Sequence, residues 1–154
     1  MPIKTYPIDL LKAIKVVCED FNHLMTRKNI SLSINSKRTF ANLIIFGQKE
    51  YIFFVIKALL NNAIKYSPQN SEIKVSASNL KEHIILNIQN TNVCISDMVR
   101  KKLFKEIITP ENNADSGLSL FTCFQIMKLH KGAIKIINMK NSVIVKLYFR
   151  KGKI

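Results

Sequence analysis

Apolar residues recur with two different periods along this chain, and the switches between them divide it into elements. Ile8, Leu11, Ile14, Val17/Cys18, Phe21 and Met25 fall at helical spacing, which predicts an amphipathic helix over 8–26 with one buried face. After Asn29, "ISLSI" (30–34) alternates apolar and polar as a half-buried strand does, and "NLIIF" (42–46), ended by Gly47, is a second strand. From Gln48 to Lys65 the apolar stretch is too long for a strand. Ile52, Val55, Leu59 and Ala63 lie on one stripe of it, so a buried helix is expected. Ser67-Pro68 stops that helix, because the residue before a proline is pushed out of helical geometry.

"SEIKVSAS" (71–78) and "HIILNIQ" (83–89) alternate again, joined by a polar turn around Lys81-Glu82. Ser96 can cap a short helix reaching about Lys105, with Val99, Leu103 and Phe104 on its apolar side. "ITPENNADSG" (108–117) reads as a loop. Leu118 to Leu129 reads as a helix ended by Lys131-Gly132, and "AIKIIN" (133–138) and "SVIVKLYF" (142–149) form a closing hairpin around Met139-Lys140-Asn141. There is no internal repeat. Hairpins and helices segregated in this order predict an α+β fold, a two-layer α/β sandwich with helices on one face of a mixed sheet of about five strands.

Composition narrows the setting. At 154 residues the chain fits one domain, 1–154, with room for a proper core. Hydrophobic residues at 47% and charged residues at 22% suit a soluble globular fold. No apolar run reaches the roughly 18 residues of a membrane span, and residues 1–7 have no signal-peptide layout. The expected compartment is therefore the cytoplasm, which includes the cytoplasmic part of a membrane-bound sensor. Cys18, Cys94 and Cys123 fit neither a disulfide framework nor a zinc cluster and are expected to stay reduced. The net charge of +14 attracts phosphate-bearing partners in general: a nucleotide, a nucleic acid or an acidic protein face. The basic residues are dispersed, however, and the basic–aromatic interleaving of a nucleic-acid module is missing, so no specific nucleic acid is expected.

Chemistry concentrates at three polar interruptions of the pattern: "NNAIKY", "QNTNVCIS" and "DSGLSL". Asn is a mediocre helix former, so helix formation does not ask for Asn61 and Asn62 side by side. The i, i+3, i+4 rule puts Asn62, Lys65 and Tyr66 on one face near the helix end. An amide oxygen, an ammonium and a phenol there could meet a metal–phosphate group and a planar ring, since magnesium takes hard oxygen ligands and shares them with phosphates. A solvated last turn accounts for the same residues.

"ALLNNAIKYSP" resembles the N box of the catalytic and ATP-binding domain of sensor histidine kinases, whose usual form is NLLxNAxKY[ST]. These domains belong to the Bergerat-fold ATPases, shared with DNA gyrase and the mismatch-repair ATPases. "LNIQNTNVCIS" falls where the G1 box, VxDxGxGI, belongs, and "RKKLFKEI" falls at the F box. "DSGLSLFTCFQIMKLHKGAIKI" is similar to the G2 box and its helix, and "IDLLKAIKVVCEDFNHLMTRKNISLSI" to the family's first helix and strand. The likeness covers about 8–149. It implies a Bergerat-type fold, a sheet of about five strands covered by three helices on one face.

Residue by residue, the resemblance makes Asn62 the magnesium ligand, brings Lys65 to the phosphates and sets Tyr66 beside the adenine. The first Asn of the box is Ala58 here, and Asn61 has no family role. In the G1 box, Asn90 stands where an Asp accepts the adenine amino group. Its amide oxygen keeps the acceptor without the charge. Asn92 and Cys94 replace the two glycines, and Ile95 would pack beside the base. In the G2 box, Asp115-Ser116-Gly117-Leu118-Ser119-Leu120 replaces Gly-x-Gly-Leu-Gly-Leu. Ser116, Gly117, Leu118 and Ser119 would border the phosphates at a helix N-terminus, with Asp115 adding a negative charge and Asp115 or Ser116 also serving as the cap.

His23, His83 and His130 do not match the family's phospho-acceptor motif, and structural or exposed roles are expected for all three. The expected cofactors are ATP and Mg2+, bound weakly. The expected function is that of the catalytic domain of a two-component sensor histidine kinase. Its expected partners are a dimerisation and histidine phosphotransfer domain and a response regulator, and the domain itself is expected to be monomeric. The alternative is a degenerate pseudokinase or phosphotransferase-type domain that keeps the fold and works as a docking module.

Overall fold

Asp9 starts the first helix from outside it. The computed structural model describes residues 3–35, 43–91 and 117–152, with backbone alone at 117–119. Its first element is a strand, β1 (Tyr6–Asp9), which pairs antiparallel with β3 (Ile44–Gly47). Helix α1 (Leu10–Lys28) begins only after Asp9, whose side chain accepts from the Lys12 N–H at 3.2 Å as an N-cap. The helix expected from residue 8 is thus corrected: Ile8 belongs to a strand, and the buried stripe runs Leu10, Ile14, Val17, Phe21 and Met25. Asn29 ends α1 in the left-handed conformation at φ 52°, which Asn tolerates better than most residues.

The other elements lie within a residue or two of their expected places. They are β2 (Ser31–Ile34), α2 (Lys49–Tyr66), β4 (Glu72–Asn79), β5 (His83–Thr91), α3 (Gly117–Leu129), β6 (Ala133–Met139) and β7 (Ser142–Arg150). The main sheet has five strands in the order β2-β4-β5-β7-β6. β2 runs parallel to β4 and every other neighbour pair is antiparallel, so the sheet is mixed. The short helix expected near 96–105 and the loop at 108–116 lie outside the described residues.

Pleating sorts each strand into two faces. Ile73, Val75, Ala77, Ile84, Leu86, Ile88, Leu147 and Phe149 point into one core with the three described helices. α2 lies at its centre, burying Ile52, Val55, Ile56, Leu59, Leu60, Ala63 and Ile64. At ~2 kcal/mol per buried side chain, these seven far outweigh the few tenths that Asn61 and Asn62 cost in helix propensity. The fold therefore tolerates the two amides.

Candidate functional site

α2 has three flanks, and its neighbours identify them. Lys57 pairs with Asp20 of α1 at 3.7 Å, and the Tyr51 ring meets the His130 ring at the end of α3, with centroids 6.4 Å apart. Helical spacing places Tyr51, Val55, Ala58 and Asn62 on a common flank, which therefore faces α3. Asn61 is on the exposed side. Asn62 is half-buried, and its Nδ2 is fully buried with no hydrogen-bond partner among the described residues. Buried polar atoms are nearly always paired, so this N–H is a hydrogen-bonding capacity that the described residues leave unused.

The C-terminal end of α2 is fixed from three sides. Lys28, in the last turn of α1, donates from Nζ to the carbonyls of Ile64 at 2.8 Å and Lys65 at 3.2 Å. An ammonium there satisfies carbonyls that have no intrahelical partner and complements the negative end of the helix dipole. Asn29 and Asn70 hold the neighbouring loops together through a 2.6 Å amide–amide bond.

Asn90 of β5 supplies the third hold. It is 5% exposed, and its Nδ2 donates to the Ala63 carbonyl at 2.7 Å and to Ser67 Oγ at 2.8 Å. A carbonyl can only accept, so the atom facing Ala63 must be the NH2 group, and this settles which way the amide points. Ser67 Oγ donates in turn to the Ala63 carbonyl at 2.7 Å. Both Asn90 N–H groups are consumed, and Oδ1 is what the side chain has left to offer a ligand. An Asp at this position would have no N–H to give.

Asn62, Lys65, Tyr66 and Asn90 thus gather at one end of α2. Lys65 and Tyr66 are exposed, and the Lys65 ammonium lies 5.6 Å from the centre of the Tyr66 ring. Asn92, Ile95 and Ser116 lie outside the described residues, as do Cys94, Asp115 and the F-box segment. Gly117, Leu118 and Ser119 form the first turn of α3. An amide oxygen at Asn62 and a helix N-terminus across from it suit a hard cation and phosphates, so the residues present fit a magnesium–nucleotide. Ser67 and Lys28 were not singled out from the sequence. The [ST] position of the N box marks Ser67, whereas nothing local marks Lys28.

The histidines fall as expected. His23 is exposed, and His83 opens β5 against Tyr148, their ring centroids 6.2 Å apart. His130 is 2% exposed; its Nδ1–H donates to the Ile126 carbonyl at 2.8 Å, so Nε2 accepts the Gln48 N–H at 3.1 Å. Both ring nitrogens are spent on the fold. Burial pushes the Cys18 thiol up and the Cys123 thiol up to about 12, which leaves both poor nucleophiles.

Comparison with known proteins agrees with this fold. Residues 47–152 match the family described as histidine kinase-, DNA gyrase B- and HSP90-like ATPase. The signal transduction histidine-protein kinase BaeS of Escherichia coli is 23% identical over 133 residues, covering 83% of this chain and 28% of its own length. The heme sensor protein HssS of Staphylococcus epidermidis is 30% identical over 118 residues, 70% of this chain and 26% of its own. The chain therefore spans little more than a quarter of these relatives. Among solved structures, the catalytic domain of histidine kinase ThkA superposes with a TM-score of 0.79 at 22% identity, over 97% of both chains. The chain belongs to the histidine kinase-, DNA gyrase B- and HSP90-like ATPase family as a domain of the histidine-kinase catalytic type.

Proposed function

We propose that this chain binds Mg-ATP between the end of α2 and the start of α3, and presents it for phosphoryl transfer to a histidine on a separate dimerisation domain. The observation that carries this reading is Asn62: a half-buried amide on the flank of α2 that faces α3, whose Nδ2 has no partner among the described residues, which leaves an N–H for a phosphate oxygen beside an Oδ1 for a cation. Asn62 would hold the Mg2+, which when bound neutralises phosphate charge and fixes the phosphates' orientation. Lys65 would reach the phosphates and Tyr66 would border the adenine. Asn90 Oδ1 would accept the adenine amino group, and Asn92 and Ile95 would complete the base pocket. Ser116 to Ser119 would lie along the phosphates. Phosphoryl transfer is largely a matter of positioning and charge neutralisation, which such a set supplies without a nucleophile of its own.

The partners under this reading are a dimerisation and histidine phosphotransfer domain and a response regulator, with the domain monomeric and cytoplasmic. A structure of ThkA in complex with the response regulator TrrA overlays on this chain with a TM-score of 0.75, and no described helix here is long and apolar enough to cross a membrane. Affinity is expected to be low. A neutral acceptor at Asn90, a carboxylate at Asp115 and side chains at Cys94 and Ser119 together cost a few kcal/mol, enough to move a micromolar Kd to about millimolar.

Calorimetric titration of the chain with Mg-ATP and with metal-free ADP tests the reading. Saturable binding of both near millimolar, tightened by Asp115→Gly with Ser119→Gly, is the expected result. Low-micromolar affinity in the unaltered chain would overturn the weak-binding part and make the altered boxes a working variant. Absence of binding to a folded chain at several times that concentration would overturn the whole and favour the docking module.

A further inference from the structure

The acidic residues of this protein are distributed unevenly along its sequence. Beyond Asp115 the sequence contains eight of the 24 Lys+Arg and none of the 10 Asp+Glu. Half of those eight cations lie in the β6–β7 hairpin at one side of the sheet. Asp9, Glu19, Asp20 and Glu50 instead sit on α1, its cap and α2.

The hairpin shows its cations on the face that no described helix covers. Lys135 of β6 is directly opposite Lys146 of β7, and Arg150 is opposite His83. Like charges placed opposite each other repel, and neither ion pair found among the described residues, Lys57–Asp20 or Lys74–Glu72, involves the hairpin. At its end a groove of about 430 Å3 is lined by Lys131, Arg150, Lys151 and His83, with Glu82 the one acid. Apolar tips share this face. Ile137 and Met139 follow Lys135 at every second position of β6, on the same face, and are 38% and 48% exposed.

We propose that this face adsorbs reversibly to an anionic phospholipid surface, leaving the cleft between α2 and α3 pointing away from it. Cations and exposed apolar side chains on one face match a membrane interface, which offers phosphates and acyl chains together. A nucleic acid uses the cations but has nothing for Ile137 and Met139. It also gains most from a free aromatic face, whereas the Lys135 ammonium already lies 5.1 Å from the centre of the Tyr148 ring. The inference is independent of the nucleotide reading.

Flotation with vesicles of neutral phosphatidylcholine, and with vesicles containing about one third phosphatidylglycerol, tests it. Binding only to the anionic vesicles, weakening as salt rises, is expected. Each lysine near the surface contributes roughly five-fold, so Lys135→Gln with Lys146→Gln should lower partitioning about 25-fold. Lys12→Gln with Lys15→Gln removes the same charge from α1 and should lower it only slightly. Ile137→Ser with Met139→Ser should weaken vesicle binding and leave retention on an oligonucleotide unchanged. Circular dichroism of each variant confirms folding. Equal losses from the α1 and hairpin pairs would overturn the proposal, because the charge would then act without a face. Tighter binding to the oligonucleotide than to vesicles, or no effect of the serine pair, would overturn it in favour of a polyanion.

Discussion

The two ends of α2 are built on opposite principles. At the N-terminal end a buried histidine closes the helix. The Gln48 N–H meets His130, and His130 meets Ile126. A Cβ on Gly47 would lie 2.8 Å from Ile52 Cγ1 and 3.0 Å from His130 Cδ2. At the C-terminal end the main chain is just as well held, by Lys28, Ser67 and Asn90, yet the Asn62 Nδ2 beside them has no partner among the described residues. A closed end stabilises the protein. An end that is rigid but incomplete is how a binding site looks before its ligand arrives, since the surroundings fix the geometry and the ligand supplies the missing partner.

That contrast breaks most sharply at His130. His130→Ala deletes two buried hydrogen bonds and leaves a cavity, so it should cost about 3 kcal/mol and lower the melting temperature by roughly 6–12 °C. Nucleotide affinity, measured well below the new midpoint, should not change. A loss of affinity out of proportion to unfolding would mean that the two ends are coupled through the helix.

Asn90→Asp sharpens the contrast at the other end, because Asn90 belongs to both descriptions. The Ala63 carbonyl loses a donor and a carboxylate is buried, so stability should fall by roughly 1–3 kcal/mol in denaturant titration. Adenine nucleotides should nevertheless bind a few-fold tighter, since a charged acceptor makes the stronger bond. If affinity falls along with stability, the Asn90 oxygen is no adenine acceptor.

Lys28→Gln should have a smaller effect. It removes an ammonium from the carbonyl end of α2 and should cost about 0.5–1 kcal/mol at low salt, shrinking as salt is added. A cost that salt leaves untouched would show that the lysine stem's packing matters more than its charge.

How much of this was legible beforehand depends on the range of the interaction. Period and punctuation gave the described elements from Ser31 to Arg150, because burying a stripe or a face imposes the repeat locally. β1 escaped because it is four residues long, contains Pro7, and Ile8 happens to continue the phase of the α1 stripe. At the site, the motif order marked Asn62 and Asn90. The sequence suggested an acceptor at Asn90 but not its donor role, whose partners lie 27 and 23 residues away and meet it only through β5 and α2 packing. Lys28 reaches carbonyls 36 and 37 residues distant, for which no local pattern exists.

The smallest expected effect on the fold belongs to Asn62→Ala, and this is what makes it informative. Truncating a half-buried side chain usually costs stability, but this one carries a buried Nδ2 with no partner among the described residues. Removing it relieves a desolvation cost of roughly 1–3 kcal/mol, while the lost packing of a short polar side chain costs a similar amount. Alanine is also the better helix former by a few tenths of a kcal/mol. The terms nearly cancel, so the unfolding midpoint should stay where it is or rise slightly. The metal-dependent part of nucleotide affinity should disappear in the same variant, and metal-free ADP should bind almost as before, since the adenine contacts proposed for Asn90 and Tyr66 are untouched. Parallel thermal melts and titrations with and without Mg2+ read both quantities from one preparation. A drop in stability of the size expected for His130→Ala, with equal affinity losses in both titrations, would make Asn62 a structural residue and reduce the two ends of α2 to one kind.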